Sequence, residues 1–318
     1  MKNSDRMIVR MIREICQDEG IQCTAFSYGW VLKLQKGSQV GYVFGYDFGV
    51  NNAASARICD DKCATSDILS HFGIPAVEHL LFLSPNNAHY IGAAGNWEKA
   101  SELLEKHGEL VCKANEGSGG AVVYHVSSQV ELESVVHEIF QQKRTMAICP
   151  YYRVLTEYRA IVLNNAVKLV YAKNIPCIIG DGKKSIRELL LDYMSARQML
   201  IRMEYNDDVL NRVLPQGEKH NVNWKSNLGQ GAVPTIVEDK SLLAELSELS
   251  LRAANAISID FASVDIIDTN EGLMVLEVNC GIMMEKFILF GKGNYGIAKG
   301  IYREAVHGLM SGEGQRGI

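Results

Sequence analysis

The chain has 318 residues, enough at roughly 150 per domain for two domains or for one domain with an added lobe. Apolar residues make up 47% and charged residues 22%, so a large core is feasible and wholesale disorder is excluded. With 32 Lys and Arg against 37 Asp and Glu, the net charge of −5 argues against a general nucleic-acid binder while leaving room for a local basic pocket.

Residues 4–19 carry Met7, Ile8, Met11, Ile12 and Ile15 at i, i+3/i+4 spacing, which predicts an amphipathic helix. Residues 21–50 change character. There Val31, Leu32, Leu34, Val40, Tyr42, Val43 and Phe44 flank Lys36-Gly37-Ser38, the pattern of a β-hairpin. A helix over about 66–71 stops at Gly73-Ile74-Pro75. Asn96 is placed to cap a helix ending at Gly108, and short strands follow over 109–114 and 121–126. Ser128-x-x-Glu131 and Ser185-x-x-Glu188 are capping boxes, opening helices that run to about Gln141 and Glu204. Between them, 145–152 and 158–172 are strand-rich. Residues 242–256 read as a helix, 263–268 and 273–280 as a hairpin, and 298–310 as a closing helix before a frayed tail over 311–318. Helices alternate with hairpins without strict βαβ order, so the expected class is α+β.

No apolar run approaches the ~18 residues of a membrane span. The first twenty residues place acids inside the apolar pattern, unlike a secretion signal or a transit peptide. The expectation is a cytoplasmic protein without a membrane or nucleic-acid partner. Eight cysteines are scattered with no CxxC, and Cys59-x3-Cys63 has no His/Cys set at zinc spacing. They read as reduced thiols acting as small buried hydrophobes, not disulfides.

Two segments carry chemistry. In Leu110-Val-Cys-Lys113-Ala-Asn-Glu-Gly117-Ser118-Gly119-Gly120, a strand ends in a lysine and a glycine-rich turn. Such a turn lets successive backbone N–H groups point into one concavity, as a phosphate requires. An ordinary hairpin loop with a surface lysine is the plainer reading. No GxxxxGK[ST] exists and the GxGxxG order is missing, so a P-loop and a Rossmann turn are excluded. In the second segment a hairpin centred on Glu271 sets Asp265 opposite Glu277. Strand alternation puts Glu277 and Asn279 on one face, with Leu276 and Val278 on the other. Like charges facing each other destabilise a hairpin, and a hard divalent cation shared with nucleotide phosphates would compensate. A solvated acidic face is the alternative. Together the segments supply what γ-phosphoryl transfer needs, which is positioning and charge neutralisation.

These and neighbouring motifs resemble the ATP-grasp superfamily of carboxylate–amine ligases, over about 51–310. The likeness is greatest to the ATP-grasp portions of cyanophycin synthetase and bifunctional glutathione synthetase, and to ribosomal-protein glutamate ligase. Asp61-Lys62-x-x-Thr65 with Gly73-Ile74-Pro75 resembles the family's entry segment, and Val111-Cys-Lys113 with Gly117–Gly120 its phosphate loop. Thr156-Glu157-Tyr158-Arg159 resembles the segment after its hinge. Gly180-Asp181-Gly182-x-x-Ser185-Ile186-x-Glu188-Leu189 and Ser226-Asn227-Leu228-x-x-Gly231 resemble two further family loops. Val264-Asp265-Ile266-Ile267 and Leu276-Glu277-Val278-Asn279 resemble its metal hairpin.

The resemblance implies an ATP-grasp fold, two α+β lobes sandwiching ATP, with a shortened N-terminal lobe over 1–58. A subdomain with the phosphate loop would follow over 59–147, and one with the metal hairpin over 148–318. It implies that Lys62, Lys113 and the amides of Gly117, Ser118, Gly119 and Gly120 hold the phosphates. Tyr151 and Arg153 at the hinge would read adenine, and Glu157 would hold the ribose. Asp265, Glu277 and Asn279 would bind two Mg²⁺ or Mn²⁺ ions. Lys173, Lys225 and Asn227 would stand near the transferring phosphate, Lys225 replacing an Arg that would have been bidentate. The implied reaction makes an acyl phosphate from a carboxylate and ATP, then joins it to an amine of an amino-acid or peptide substrate.

The sequence departs from the family at Pro150, where relatives have Glu, and at Cys280–Glu285, beside the acceptor. A homo-oligomer is compatible with the short N-terminal lobe. Cys280, Trp30, Trp97 and Trp224 read as packing residues, His220 as a loop hydrogen-bonder, and Lys183-Lys184 as solvated surface. A small-molecule kinase on the same fold and a non-catalytic nucleotide-binding protein are the other readings.

Overall fold

The Met and Ile stripe at the start of the chain is buried, as its spacing requires. In the computed structural model, which describes residues 6–117, 122–175, 177–197, 206–222 and 227–311, α1 (Met7–Glu19) buries Ile8, Met11, Ile12 and Ile15. It ends where Gly20 turns left-handed. Behind it lies an antiparallel sheet of β1 (Gln22–Phe26), β2 (Val31–Lys36) and β3 (Gln39–Phe44), in that order. β2 and β3 are the expected hairpin. β1 is a third strand that the apolar pattern alone does not separate from it.

Next come α2 (Ala53–Asp60) and α3 (Lys62–His71), capped by the side chains of Asn52 and Asp61. α2 buries only Ser55 and Cys59, so it carries no stripe by which to read it. β4 (Leu80–Leu83), α4 (Trp97–His107), β5 (Leu110–Ala114), β6 (Val123–Val126), α5 (Gln129–Gln142) and β7 (Thr145–Pro150) follow. Their strands form a sheet of order β4-β7-β5-β6, whose core with α4 and α5 includes Leu104, Leu110, Cys112, Leu132, Ile139 and Ile148. Asn96 caps α4 and Ser128 caps α5 as expected. The Glu131 carboxylate accepts from the N–H of Ser127 instead of Ser128.

The rest of the chain builds a larger antiparallel sheet. Its elements begin with β8 (Thr156–Leu163), β9 (Ala166–Asn174), β10 (Cys177–Ile179), α6 (Ile186–Arg197), α7 (Asp207–Asn211) and β11 (Lys219–Asn221). They continue with β12 (Val233–Ile236), α8 (Lys240–Ile257), β13 (Phe261–Thr269), β14 (Gly272–Asn279), α9 (Glu285–Leu289) and α10 (Asn294–Ser311). The five-stranded order is β12-β9-β8-β13-β14, and β10 and β11 pair separately. Ser185 and Glu188 form a reciprocal capping box before α6: the Ser185 N–H donates to Glu188 Oε2 at 2.8 Å, and the Glu188 N–H to Ser185 Oγ at 3.3 Å.

Strand alternation divides the larger sheet into two unlike faces. α8 covers one, burying Tyr158, Ala160, Val162, Ala262, Val264 and Ile266. The opposite face changes along its length. At one end Leu163, Leu169 and Phe261 join the core of α1 and α10. At the other end Ile267, Met274 and Leu276 meet Val111 and Cys149 of the smaller sheet and Val77 from the segment before β4. Between these apolar ends the strands carry charged residues. All eight cysteines are free thiols, and no helix among the described residues is long and apolar enough to cross a membrane.

Asn51 ties the N-terminal segment to the start of β13. Its Nδ2 donates to the Phe261 carbonyl at 2.8 Å, and its Oδ1 accepts from the N–H groups of Phe261 at 2.8 Å and Asp260 at 3.1 Å. Asn51→Ala is expected to lower unfolding stability by about 2 kcal/mol, from three modest hydrogen bonds of which some are replaced by water, measured by urea titration.

Candidate active site

Glu157 and Arg159 alternate on β8, Lys173 lies on β9 and Asp265 on β13, and register stacks them on one face. Asp265 pairs with Arg159 across β13 and β8, while Arg159 pairs with Tyr171 across β8 and β9. The Arg159 guanidinium grips Asp265 at both oxygens, Nε to Oδ1 and Nη2 to Oδ2, each at 2.6 Å. Lys173 Nζ donates to Asp265 Oδ2 at 2.9 Å and also to Glu157 Oε1.

Asp265 is 1% exposed. Burial by itself would raise its pKa, but the charges of Arg159 and then Lys173 outweigh that and hold the carboxyl below its usual range. On Glu157 burial prevails and raises it, with Lys173 opposing and Asp265 reinforcing. Lys173 is held above its usual value: burial and Arg159 lower it, and the two carboxylates more than compensate. Arg159 was legible as part of a motif but without a role. What it touches is decided by register between β8 and β13.

Asp265 faces Glu277 as the hairpin arithmetic predicts. One step of that arithmetic is corrected. The register shifts after Asp265, where Ile266 pairs with Val275, leaving Leu276 as an inserted residue. Leu276 therefore packs with Ile267, Val77 and Cys149, not on the face opposite Glu277. The insertion has a partner on the free edge of β14, where the Val275 N–H donates to the Pro75 carbonyl and the Val77 N–H to the Val275 carbonyl, each at 2.9 Å. Asn279 Nδ2 donates to Glu277 Oε1 at 3.1 Å.

Lys113, Asn115 and Gly117 lie at and just beyond the end of β5 in the smaller sheet. Lys113 on β5 is 6% exposed, and its ammonium forms no hydrogen bond or ion pair among the described residues. Lys62 opens α3 and donates to the carbonyls of Gly117 at 2.7 Å and Asn115 at 3.3 Å. Its pKa is lowered by burial; Glu277 raises it and Lys113 lowers it, so the three groups share one electrostatic neighbourhood. Asn115 is wholly buried and binds the Cys63 N–H through Oδ1 at 3.1 Å, while its Nδ2 has no acceptor. Gly117 adopts φ 102°, open to glycine without strain.

Sequence reasoning also passed over His79, a polar residue immediately before the apolar run of β4. It is 2% exposed, its N–H donates to Ser66 Oγ at 3.0 Å, and Nε2 has no partner. Burial first, then the charges of Lys113 and Lys62, push it well below the usual histidine range, so it is neutral at pH 7.

The remaining expected residues lie apart from this cluster or outside it. The Tyr151 ring packs on His125, and its N–H donates to the Glu109 carbonyl at 3.0 Å. Arg153 is exposed. Asn227 Oδ1 accepts from the Gly229 N–H at 2.7 Å, turning the side chain into its own loop. Ser118, Gly119, Gly120, Trp224 and Lys225 lie outside the described residues. No group of three or more His, Cys, Asp or Glu comes together among the described residues, so any metal here relies on two acids and an amide. The donor set is hard oxygen, as Mg²⁺ requires. Glu277 and Asn279 make no ion pair among the described residues, whereas Asp265 already balances two cations.

Comparison with known proteins gives the class. A model of the RimK-like ATP-grasp domain matches residues 191–296. The crystal structure of a bifunctional glutathione synthetase from Pasteurella multocida superposes with a TM-score of 0.57 at 16% identity, covering 93% of this chain and 44% of that one. The chain has the ATP-grasp fold.

Among curated relatives, tetrahydromethanopterin:alpha-L-glutamate ligase of Methanocaldococcus jannaschii is 44% identical over 57 residues, 18% of this chain and 19% of that protein. Cyanophycin synthetase of Trichormus variabilis is 24% identical over 246 residues, 71% of this chain and 26% of that protein. Residues 191–296 thus resemble the RimK-like ATP-grasp domain, ligases are among the proteins to which the chain is similar, and it spans about a quarter or less of these two relatives' lengths. ATP-grasp ligases use ATP and divalent metal ions.

Arg159→Met would leave the buried Asp265 with one cation in place of two. Such truncation of a buried pair costs about 3–5 kcal/mol, read as a lower urea midpoint. Because the folded pKa of Asp265 is depressed, the stability from its pairing is full above the unfolded value of ~4 and fades as pH falls below it. The gap between variant and wild type should therefore narrow on acidification.

Proposed function

We propose that this chain is an ATP-dependent, ADP-forming ligase that activates a carboxylate as an acyl phosphate and joins it to an amine. The observation that carries the reading is the buried Asn115 Nδ2, which has no acceptor among the described residues, two residues from Lys113, 6% exposed, whose ammonium forms no hydrogen bond or ion pair among them. A buried amide donor without an acceptor is costly, and both residues precede the loop that resembles a phosphate cradle. Phosphate oxygens would satisfy both.

In this reading Lys62, Lys113 and the loop from Gly117 to Gly120 hold the triphosphate. The apolar cluster of Val77, Val111, Cys149, Ile267 and Leu276 takes the adenine, with the backbone of Tyr151 and Arg153 at its rim. Pro150 supplies no side-chain acceptor there. Glu157 would receive the ribose hydroxyls, a task for which its second oxygen is available because Lys173 binds Oε1. Glu277 and Asn279, with Asp265 behind them, would hold two Mg²⁺ or Mn²⁺ ions. Bound there, the metal would neutralise charge on the transferring phosphoryl group.

The acceptor carboxylate attacks the γ-phosphorus, its new O–P bond forming as the bond to the ADP oxygen breaks. The amine then attacks the acyl carbon, and phosphate leaves with the C–O bonding pair. Lys173, held protonated between Glu157 and Asp265, keeps a fixed positive charge beside this path. Lys225 and Asn227 are proposed to steady the acyl phosphate, and water must be excluded while it persists. Relatives named as amino-acid ligases support an amino-acid or peptide substrate, and an assembly of identical subunits would complete the short N-terminal lobe.

Two variants test the reading. Glu277→Ala should abolish ADP production while thermal unfolding stays cooperative, because it removes metal-binding charge from a partly open strand face. Turnover like that of wild type would refute the metal assignment. Lys113→Met should lower kcat/KM for ATP by about a hundredfold or more, the loss of a charged contact in a closed site; unchanged kinetics would make the loop merely structural. Free phosphate measured beside ADP separates a ligase, which releases both, from a kinase, which releases ADP alone.

A further inference from the structure

Two buried charged atoms of opposite sign stand unpartnered near the end of β14. Arg6, just before α1, lays its guanidinium over the Trp30 ring at 4.1 Å and lies 5.6 Å from the Tyr46 ring centroid. Its Nη2 donates to the Gly29 carbonyl at 2.8 Å, its charge also acts on the Tyr46 hydroxyl, and Nη1 is buried with no hydrogen-bond acceptor among the described residues. At the hydroxyl end of the same tyrosine, Tyr46 donates to Glu285 Oε1 at 2.7 Å, and Glu285 Oε2 is buried with no donor. Each orphan costs free energy, yet the two do not pair with each other among the described residues.

The cluster adjoins the proposed reaction centre. Tyr46 packs against Gly281, where an added Cβ would lie 3.9 Å from the tyrosine Cβ, two residues beyond Asn279. Glu285 is held in place by its own turn: the Met284 N–H donates to the Tyr302 hydroxyl at 3.3 Å, and that hydroxyl donates to the Ile282 carbonyl at 2.7 Å. Farther along α9, Phe287 stacks on Tyr171, with ring centroids 5.1 Å apart. Tyr171 lies two residues before Lys173 on β9.

We infer that Arg6, Tyr46 and Glu285 form a subsite for an α-amino acid that supplies the amine, its carboxylate bound by Arg6 Nη1 and its amino group by Glu285 Oε2. A ligand carrying both an anionic and a cationic group satisfies both orphans. A phosphate or dicarboxylate would suit Arg6 and be repelled by Glu285; a diamine would suit Glu285 and be repelled by Arg6. Trp30 and the Gly29 carbonyl fix the plane of the guanidinium in advance, so little ordering entropy remains for binding. This subsite rests on the ligase reading for its purpose, but binding to it needs no turnover.

The test is calorimetric titration of the intact chain with each of the twenty standard L-amino acids. For each binder, its α-amide and the matching acid without the amino group are titrated in parallel. At least one amino acid should bind, and each altered form should bind about 10- to 100-fold more weakly, the range for a charge-assisted hydrogen bond. In Arg6→Met the preference over the amide should vanish while the preference over the des-amino acid persists, and Glu285→Gln should show the reverse. Arg6→Lys should restore part of the first preference. ATP titration of each variant reports whether the fold is intact, since neither residue belongs to the nucleotide cleft.

Binding of ATP with no response to any amino acid would overturn the subsite and leave the ligase reading standing. So would variants that lose all three ligand forms equally while still binding ATP. Amino-acid binding with no release of ADP or phosphate when ATP, Mg²⁺ and a panel of carboxylates are also supplied would sink the ligase reading and leave the subsite intact.

Discussion

Four charges locked into the middle of one sheet face organise this molecule. Asp265 cannot remain ionised at 1% exposure without opposite charge beside it, and register supplies two cations, Arg159 from β8 and Lys173 from β9. Glu157 then balances the second of these cations, Lys173. The quartet links three adjacent strands, so the order β9-β8-β13 is a condition of its neutrality. The apolar ends of the same face pack on different partners, α1 and α10 on one side and the smaller sheet on the other. A polar strip is left between them, where a charged ligand has the most to gain.

The inserted Leu276 shows how a local irregularity serves that strip. With strict alternation Leu276 would have pointed toward α8. The bulge turns it into the apolar cluster shared with Val77 and Cys149 and keeps Glu277 opposite Asp265. The strand edge is then closed by the segment after Pro75, which bonds Val275 from outside. One extra residue thus sets an apolar surface next to an acidic one, the two characters a nucleotide presents.

Much of this was visible in advance because the underlying patterns are local. The capping residues Asn96, Ser128 and Ser185, the stripe of α1, and the Asp265–Glu277 opposition all follow from spacing within a few residues or across one tight turn. The elements that escaped notice lack such a signature. α2 has almost no buried apolar side chain, β4 is four residues long, and β12 is a short edge strand whose partner β9 lies some sixty residues earlier. Asn115 and His79 were equally unmarked, since an orphaned donor or lone pair exists only once neighbours have been packed around it.

By itself the sequence determined the α+β class and the hairpin that sets Asp265 opposite Glu277, because each depends on residue type and short-range periodicity. Tertiary structure alone decided that Arg159 belongs to Asp265, that Lys173 bridges two carboxylates, and that Arg6 and Glu285 meet around one tyrosine. Those partners lie between 16 and 279 residues apart, and only strand register and helix packing bring them within hydrogen-bond or electrostatic reach. Charge in water interacts weakly with everything; buried, it must find a specific partner, and folding chooses which.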